Sequence, residues 1–554
     1  MRLGLALFLA LVLLVACGTT PPPQPVAQPA GEITVAATGV LSIEPATATV
    51  SSPPPTSAPD PRDVHENEGA GRWYPADPAR LRAAVEAYVQ QAAVEPLQGR
   101  LLALIVPHAG YVYSGAVAGH SFRAMQEAGC AGYTIAVVGD THSGQGSAEI
   151  AVWAAGAFET PLGSIPVDEA VAQAVVAADE RIEFDRKAFT AEHPVENQLP
   201  FIQVVCPGAR IVPVVIRQPS QQNAQILADA LVAALGDRPA LIVASTDLSH
   251  YHSYEEAQEM DRVALEAIVS LDAQAVADSP RRCAELGLGR GDPLTMCSQG
   301  AVMAALIAAR QMGADQATVL HYANSGDVPL GDRGQVVGYG AVGLWQAPAG
   351  GSASLANPFP ASTASAVPAE PIPVPPEAQE ALLALARRTV VQFLETETVP
   401  AFETDDPALL QPLGAYVTYE KAGNLRGCVG RIEADRPAYL NVQYAAVAAA
   451  LADSRFPAIT PEELPDLTIE ITLLQPLRQV GSPDEIEIGR DGVLMRVGSD
   501  KGALYLPQVP PEQGWDLEAT LVHLCRKAGL PDDAWQSADA RFYIFSGQWF
   551  GEGE

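Results

Sequence analysis

The sequence predicts an α/β fold in which a largely parallel central sheet is flanked by helices, followed by a second, α+β domain. Three observations carry this. Short runs rich in Val, Ile and Leu alternate with longer segments of helical spacing over 63–346. A stretch rich in Pro, Ala, Ser and Gly at 347–376 marks a boundary between two globular segments. At 554 residues the chain exceeds what one hydrophobic core serves, so two domains are expected.

Charge narrows the function classes. With 65 acidic against 33 basic residues the formal net charge is −32, which repels phosphate backbones and excludes nucleic acid as a natural partner. The hydrophobic fraction of 48% is that of an ordinary globular protein, so the acidity belongs to a solvated surface rather than to disorder.

The amino terminus, MRLGLALFLALVLLVACGTT, has one positive charge at Arg2, an apolar run from Leu3 to Ala16, and then Cys17. The run is shorter than a spanning helix and reads as the core of a secretion signal. Leu14-Val15-Ala16-Cys17 resembles a bacterial lipobox, which implies a leader over 1–17, lipidation at Cys17, and an exported protein anchored to the membrane; a plain signal peptide or an uncleaved anchor is the alternative. Residues 18–62, rich in Pro, Thr, Ala and Ser, form an extended tether. Of the six remaining cysteines (Cys130, Cys206, Cys283, Cys297, Cys428 and Cys525), most are expected to be buried free thiols, because their wide spacing is unlike that of a disulfide-framed miniprotein.

Within 63–346 the expected strands are Leu102–Val106, Thr134–Val138, Ile211–Ile216 and Leu241–Ala244, and Val167–Ala178, Gln222–Leu235 and Glu255–Val269 have helical spacing. Ligands of open α/β sheets gather beyond the carboxyl ends of strands. Three such exits carry histidine: His108 after Pro107, His142 in Gly139-Asp140-Thr141-His142, and His250 in Ser245-Thr246-Asp247-Leu248-Ser249-His250. Seven of the nine histidines fall between 108 and 321. Cys297 precedes an apolar helical pattern beginning near Ala301, and a helix N-terminus favours a thiolate; a small buried hydrophobe is the alternative. His108, His142 and Cys297 together make a site of two imidazoles and one thiolate, with Asp247 and His250 as a further ligand or a proton-transfer pair. That donor set suits Fe, Cu or Zn rather than Mg or Ca.

The segments GRWYPADPARL (71–81), VPHAGYVYSG (106–115), FETPLGSIPVD (158–168), EHPVENQLPF (192–201) and STDLSHYHSYEEA (245–257), with NSGD and GYGAVGLW near the end, resemble the Memo family, a relative of the class III extradiol dioxygenase fold. The resemblance implies one metal ion held by His108, His142 and Cys297, with iron or copper favoured over zinc, and dioxygenase-like redox chemistry on a small organic substrate. His250, oriented by Asp247, is the expected general acid or base, and Tyr111 and Tyr113 are expected to line the substrate pocket. Two departures from the family pattern stand out: GDTHSG brings Asp140 towards the site where GPSH is usual, and Ser298 follows the cysteine where glycine is common. A cysteine in place of the carboxylate of the 2-His-1-carboxylate enzymes means that dioxygenase activity does not carry over automatically.

Residues 377–554 resemble the AMMECR-type domain through LRGCVG (425–430), DSRFPAITPEEL (453–464), IEITLLQPL (469–477), IGRDGVLM (488–495), LYLPQVPPEQGWD (504–516) and LCRKAGLP (524–531). The fused pair is similar to the bacterial AmmeMemoRadiSam system, which implies a radical S-adenosylmethionine protein as partner. That partner needs cytosolic reductants, so export of this chain would separate the two. Arg426-Gly427-Cys428 is a candidate reactive turn, because a guanidinium beside a thiol lowers its pKa; the alternative is a packed cysteine beside a structural arginine. A metal-handling protein without turnover, or a scaffold docking a partner through the second domain, are the rival functional readings.

Overall fold

A computed structural model describes residues 63–348, 373–498, 501–537 and 539–552. The leader with Cys17, the tether at 18–62 and residues 349–372 of the linker lie outside the described residues.

The first domain is built on a nine-stranded sheet. Its middle consists of Arg100–Val106, Ala240–Ser245, Thr134–Asp140 and Arg210–Ile216, side by side and parallel. All but the first residue of Arg100–Val106 and Arg210–Ile216, and every residue of the other two, are buried, which is why these strands read as unbroken apolar runs rather than as alternating ones. Antiparallel pairs join its flanks: Val336–Gln346 pairs with Arg100–Val106 and with Gln316–Asn324, and Ile150–Val152 pairs with Arg210–Ile216, while Ile182–Phe184 adds a parallel edge to Ile150–Val152. Helices Tyr111–Ala128, Gln221–Leu235, Tyr254–Val269 and Gln299–Gln311 add their apolar faces to the core around this sheet.

Of the six cysteines after Cys17, Cys283, Cys297, Cys428 and Cys525 are free, in line with the expectation for most of them, and Cys130 and Cys206 are joined in a disulfide. Each of the bridged pair lies four positions before a strand residue, and those residues, Thr134 and Arg210, are partners in the parallel register. The pairing of two strands thus brings together two cysteines 76 residues apart, a proximity that linear spacing does not reveal.

In the second domain the sheet order is Asn424–Arg431, Gly414–Lys421, Leu467–Leu474, Gly547–Gly551. One of its faces, with Val417, Tyr419, Ile469 and Ile471, packs on helices Pro376–Thr396 and Ala438–Leu451. A second sheet contains Arg478–Val480, Ala540–Phe545, Gly492–Val497 and Lys501–Tyr505, and helix Leu517–Lys527 packs on it.

LRGCVG is therefore strand, not a reactive turn. The register shifts by one between Gly427 and Leu425, and Arg426 turns its guanidinium to Glu463 (2.9 Å) and to the carbonyls of Pro457 and Ala458. Cys428 is buried, with Thr418 Oγ1 donating to its sulfur at 3.3 Å. Arg426 is a structural residue here, because its charge is matched by Glu463 and backbone oxygens.

The two domains meet through arginines. Arg436 is buried and donates to the carbonyls of Val328 (3.2 Å) and Gly331 (3.0 Å) in the first domain, while Arg431 pairs with Asp332 at 3.3 Å. In return, Arg333 Nη1 donates to the carbonyl of Asp435.

Candidate metal centre

The parallel order places the exits of three adjacent strands at one edge of the sheet. His108 follows Arg100–Val106, Asp247 and His250 follow Ala240–Ser245, and His142 follows Thr134–Asp140. Cys297 arrives from the loop before helix Gln299–Gln311, fixed by its N–H on the carbonyl of Asp247 at 3.2 Å. One ligand atom from each of His108, His142 and Cys297 falls within 4.8 Å of the others, with His108 Nε2 3.2 Å from Cys297 Sγ.

Hydrogen bonds set both histidine tautomers. Ser245 Oγ donates to the carbonyl of Pro194 (2.6 Å) and accepts from Gln198 Nε2 (2.8 Å), so its proton is spoken for. His108 Nδ1 must then donate to Ser245 Oγ (3.0 Å), and its Nε2 carries the lone pair that faces Cys297. His142 Nδ1 is 2.9 Å from the carbonyl of Asp140, which only accepts, leaving its Nε2 as the ligand atom. His250 follows the same rule, with Nδ1 donating to the carbonyl of Leu248 at 2.9 Å.

The donor set fits a borderline transition metal: two imidazole nitrogens presented as lone pairs and one sulfur, with His108 buried, Cys297 half-buried and His142 exposed. Without a cation, His108 and Cys297 are held neutral. Burial, and then the charges of His193 and His142, keep His108 deprotonated well below the ordinary histidine range. Burial and the neighbouring Asp247 carboxylate push the Cys297 thiol far up, overriding the helix N-terminus expected to favour a thiolate. The amide of Asp247, which donates to Cys297 Sγ at 3.2 Å, is poised to stabilise sulfur once it is charged.

Several expected roles change. Asp247 does not orient His250; its Oδ1 accepts from the amides of His108 (2.7 Å) and Ala109 (3.2 Å) and so fixes the turn that carries the first ligand. Asp140 does not face substrate. Its carboxylate accepts from Gly300 (2.7 Å) and Ala301 (2.9 Å), capping helix Gln299–Gln311, and burial raises its pKa to about 7. Ser298, at the N-cap position, makes no side-chain cap of its own, and its Oγ accepts from the amide of Asp140 at 3.2 Å. The two departures from the family pattern are thus one device, an acid from a neighbouring strand taking over a helix cap. Tyr111 is buried with its hydroxyl on the carbonyl of Asn197 (2.7 Å), and Tyr113 is partly exposed. Both line a cavity of about 890 Å³ beside the centre, shared with Trp73, Tyr251 and Tyr339.

The 192–201 segment contributes residues that periodicity alone did not single out. Glu192 accepts from Thr141 Oγ1 (2.7 Å) and from the amides of His142 (2.9 Å) and Ser143 (2.7 Å), holding the loop of the second ligand. Asn197 donates to the carbonyl of His108 at 2.6 Å, and Gln198 to that of Pro107 at 3.0 Å. The His193 ring stands 5.0 Å from that of His108 and 4.8 Å from that of His142, stacked on Trp73 at 4.4 Å. Burial, followed by the charge of His142, lowers its pKa to about 3. The sequence signals for these residues are a dense polar run, EHPVENQ, between apolar segments, and its place in the family-like segment EHPVENQLPF.

Residues 65–343 match the family model described as Memo-like protein. The chain belongs to the Memo family. Residues 383–550 match the AMMECR1 model, so an AMMECR1 domain follows the Memo domain. Similar relatives of the Memo domain include the MEMO1 family protein MK0963 of Methanopyrus kandleri, 37% identical over 283 residues, covering 49% of this chain and 96% of that protein. MTH_45 of Methanothermobacter thermautotrophicus, also a MEMO1 family protein, is 36% identical over 278 residues, with 49% and 96% covered. A solved structure, the uncharacterized protein PH0010 of Pyrococcus horikoshii, is 35% identical, with 31% of this chain and 91% of that chain covered at a TM-score of 0.30.

Proposed function

We propose that the Memo domain is a dioxygenase-like, metal-dependent oxidoreductase acting on a small organic substrate, with iron or copper held by His108, His142 and Cys297. The observation that carries this reading is the convergence of three ligand atoms within 4.8 Å, two of them on imidazoles whose tautomers are set by second partners. Bound there, the ion supplies Lewis acidity and a redox couple. The protein supplies the rest. The half-buried His250 has its Nδ1 proton committed to Leu248, so Nε2 is free to take or return a proton from substrate. Asp247 and Glu192 keep the two ligand loops in place, and the aromatic cavity beside the centre supplies a binding surface for a flat organic molecule.

The test begins with metal analysis of full-length protein purified without added metal, followed by oxygen uptake and optical spectra with and without catechols. Turnover that His250→Ala reduces by ~100-fold or more, with metal retained, supports the oxidoreductase. Bound metal with no turnover on any substrate class supports the rival reading, metal handling, which the thiolate donor favours because a sulfur ligand binds copper well and oxidises readily.

We further propose that the chain is exported and anchored through Cys17. A buried disulfide between Cys130 and Cys206 suits an oxidising compartment, and the lipobox-like Leu14-Val15-Ala16-Cys17 supplies a cysteine for a lipid anchor. Cys17→Ser should move the protein from the membrane to the soluble fraction; unchanged fractionation points to an uncleaved amino-terminal helix. The radical S-adenosylmethionine partner is a proposal of the same kind, and an exported chain would act apart from it.

A further inference from the structure

The sheet of the AMMECR1 domain has two faces, and only one is used by its core. Val417, Tyr419, Ile469 and Ile471 face the helices. Alternation therefore turns Thr418, Glu420, Glu470 and Thr472 to the other side. There the register sets Cys428, Thr418 and Glu470 in one row and Thr472 opposite Trp549. This side is not left to solvent. The 505–515 segment, with the short helix Val509–Glu512, roofs it and encloses a cavity of about 490 Å³.

The lining has one sign of charge. Glu420 and Glu470 lie on the sheet and Glu512 on the roof, and among the described residues no Lys, Arg or His lines the cavity. Aromatic rings make its walls: Tyr505, Trp515 and Trp549. Trp515 is held in place by a stack on His523 at 3.9 Å and an edge contact with Tyr505 at 5.3 Å. Trp549 is 52% exposed, a large apolar ring left at the mouth. Lys527 lies over the Tyr505 ring at 4.5 Å and donates to the carbonyl of Leu504 at 3.0 Å. Carboxylates converging from two sides with aromatic faces between them are the chemistry that selects an organic cation and rejects an anion.

We propose that this cavity is a binding site for a small organic ammonium or guanidinium compound with a flat apolar part, separate from the metal centre. The cation pairs with Glu470 and Glu512, and the flat part lies against Trp515 and Trp549.

Full-length protein is titrated with benzylammonium, benzyl alcohol and benzoate, by calorimetry and by tryptophan fluorescence. Benzylammonium should saturate a single site, weaken as salt rises, and bind at least about tenfold more tightly than benzyl alcohol, with benzoate showing no saturation. Glu470→Gln and Glu512→Gln should each weaken benzylammonium by about tenfold, while Glu377→Gln on the first turn of the helix packed on the opposite face of the sheet and His142→Ala at the metal centre leave it unchanged. Because Glu470 sits within the sheet, its variant is first checked for folding by circular dichroism; should it unfold, Glu512→Gln on the roof decides. Equal binding of benzyl alcohol or benzoate, no saturation by benzylammonium, or wild-type affinity in Glu512→Gln overturns the proposal.

Discussion

Cys297 and His108 compete for different protons at the metal centre. His108 is already neutral at physiological pH because burial lowers its pKa, whereas the thiol is held protonated. A metal ion arriving there should displace about one proton, that of the thiol, and apparent affinity should rise with pH through the neutral range. Calorimetry in buffers of different ionisation enthalpy measures that proton directly. Alanine at His108, His142 or Cys297 should remove most of the metal with the fold retained, since the strands beneath have their own core. His120 is the control: its ring stacks on His321 at 4.1 Å, and its Nδ1 meets the carbonyl of Ala116, both apart from the ligand cluster. Loss of metal in His120→Ala with retention in His142→Ala would refute the assignment. A second residue-scale prediction concerns Asp261. Burial raises its pKa to about 7, although Ser249 N–H (2.9 Å) and Tyr322 Oη–H (2.8 Å) donate to it. The folded state thus holds this proton where the unfolded chain has lost it, so its contribution to stability is full below about pH 4 and declines as pH rises to about 7. Asp261→Asn, which mimics the neutral acid, should flatten that decline, and melting temperatures of both proteins across this range will show it. Parallel pH profiles would count against the raised pKa.

At the scale of elements, helix Gln299–Gln311 starts under a borrowed cap. Removing the carboxylate in Asp140→Ala strands the amides of Gly300 and Ala301 and should cost about 1–2 kcal/mol. Asp140→Asn keeps an acceptor and should cost less. Both should retain metal, because the partner of His142 Nδ1 is the backbone carbonyl of residue 140 and not its side chain. Thermal unfolding with parallel metal analysis separates these outcomes; metal loss in Asp140→Asn without loss of stability would restore Asp140 to the site itself. Strand Val336–Gln346 shows how closely these elements fit, since a methyl group at Gly338 would lie 2.0 Å from Asp261 Oδ2.

For the whole molecule, the contact between domains combines a group of arginines with the approach of helix Pro78–Gln91 to helix Pro376–Thr396, where Arg80 pairs with Glu397 at 3.5 Å. Arg436, Arg431 and Arg333 grip carbonyls and one carboxylate across the boundary, while each domain has hydrophobic clusters of its own. Segments 63–346 and 377–554, expressed separately, should therefore each be soluble and unfold cooperatively. Their reassociation on mixing should be weaker than micromolar, measured by sedimentation or gel filtration, because a few charge-assisted hydrogen bonds do not offset the entropy of association. Failure of either segment to fold would reveal an apolar interface that these contacts do not show.

The sequence by itself determined the alternation of buried strands and helices, the exits at which histidines stand, and the placement of Cys297 before a helix. Each of these is local, written in apolar periodicity and in the breaks that end it. The family pattern added the identity of both domains. Only the tertiary structure decided which residues serve the site and how. Asp140 and Asp247, both close to ligands in sequence, turned out to bind amides, because a buried carboxylate goes to whichever unpaired N–H groups the packing brings within reach. Glu192, His193, Asn197 and Gln198 entered the site from a segment with no strand exit, through contacts with loops up to 91 residues away in sequence. The Cys130–Cys206 bridge and the roofed acidic face of the second sheet have the same origin. Strand register and domain packing set such juxtapositions, and these depend on pairings between distant segments that no single stretch of sequence contains.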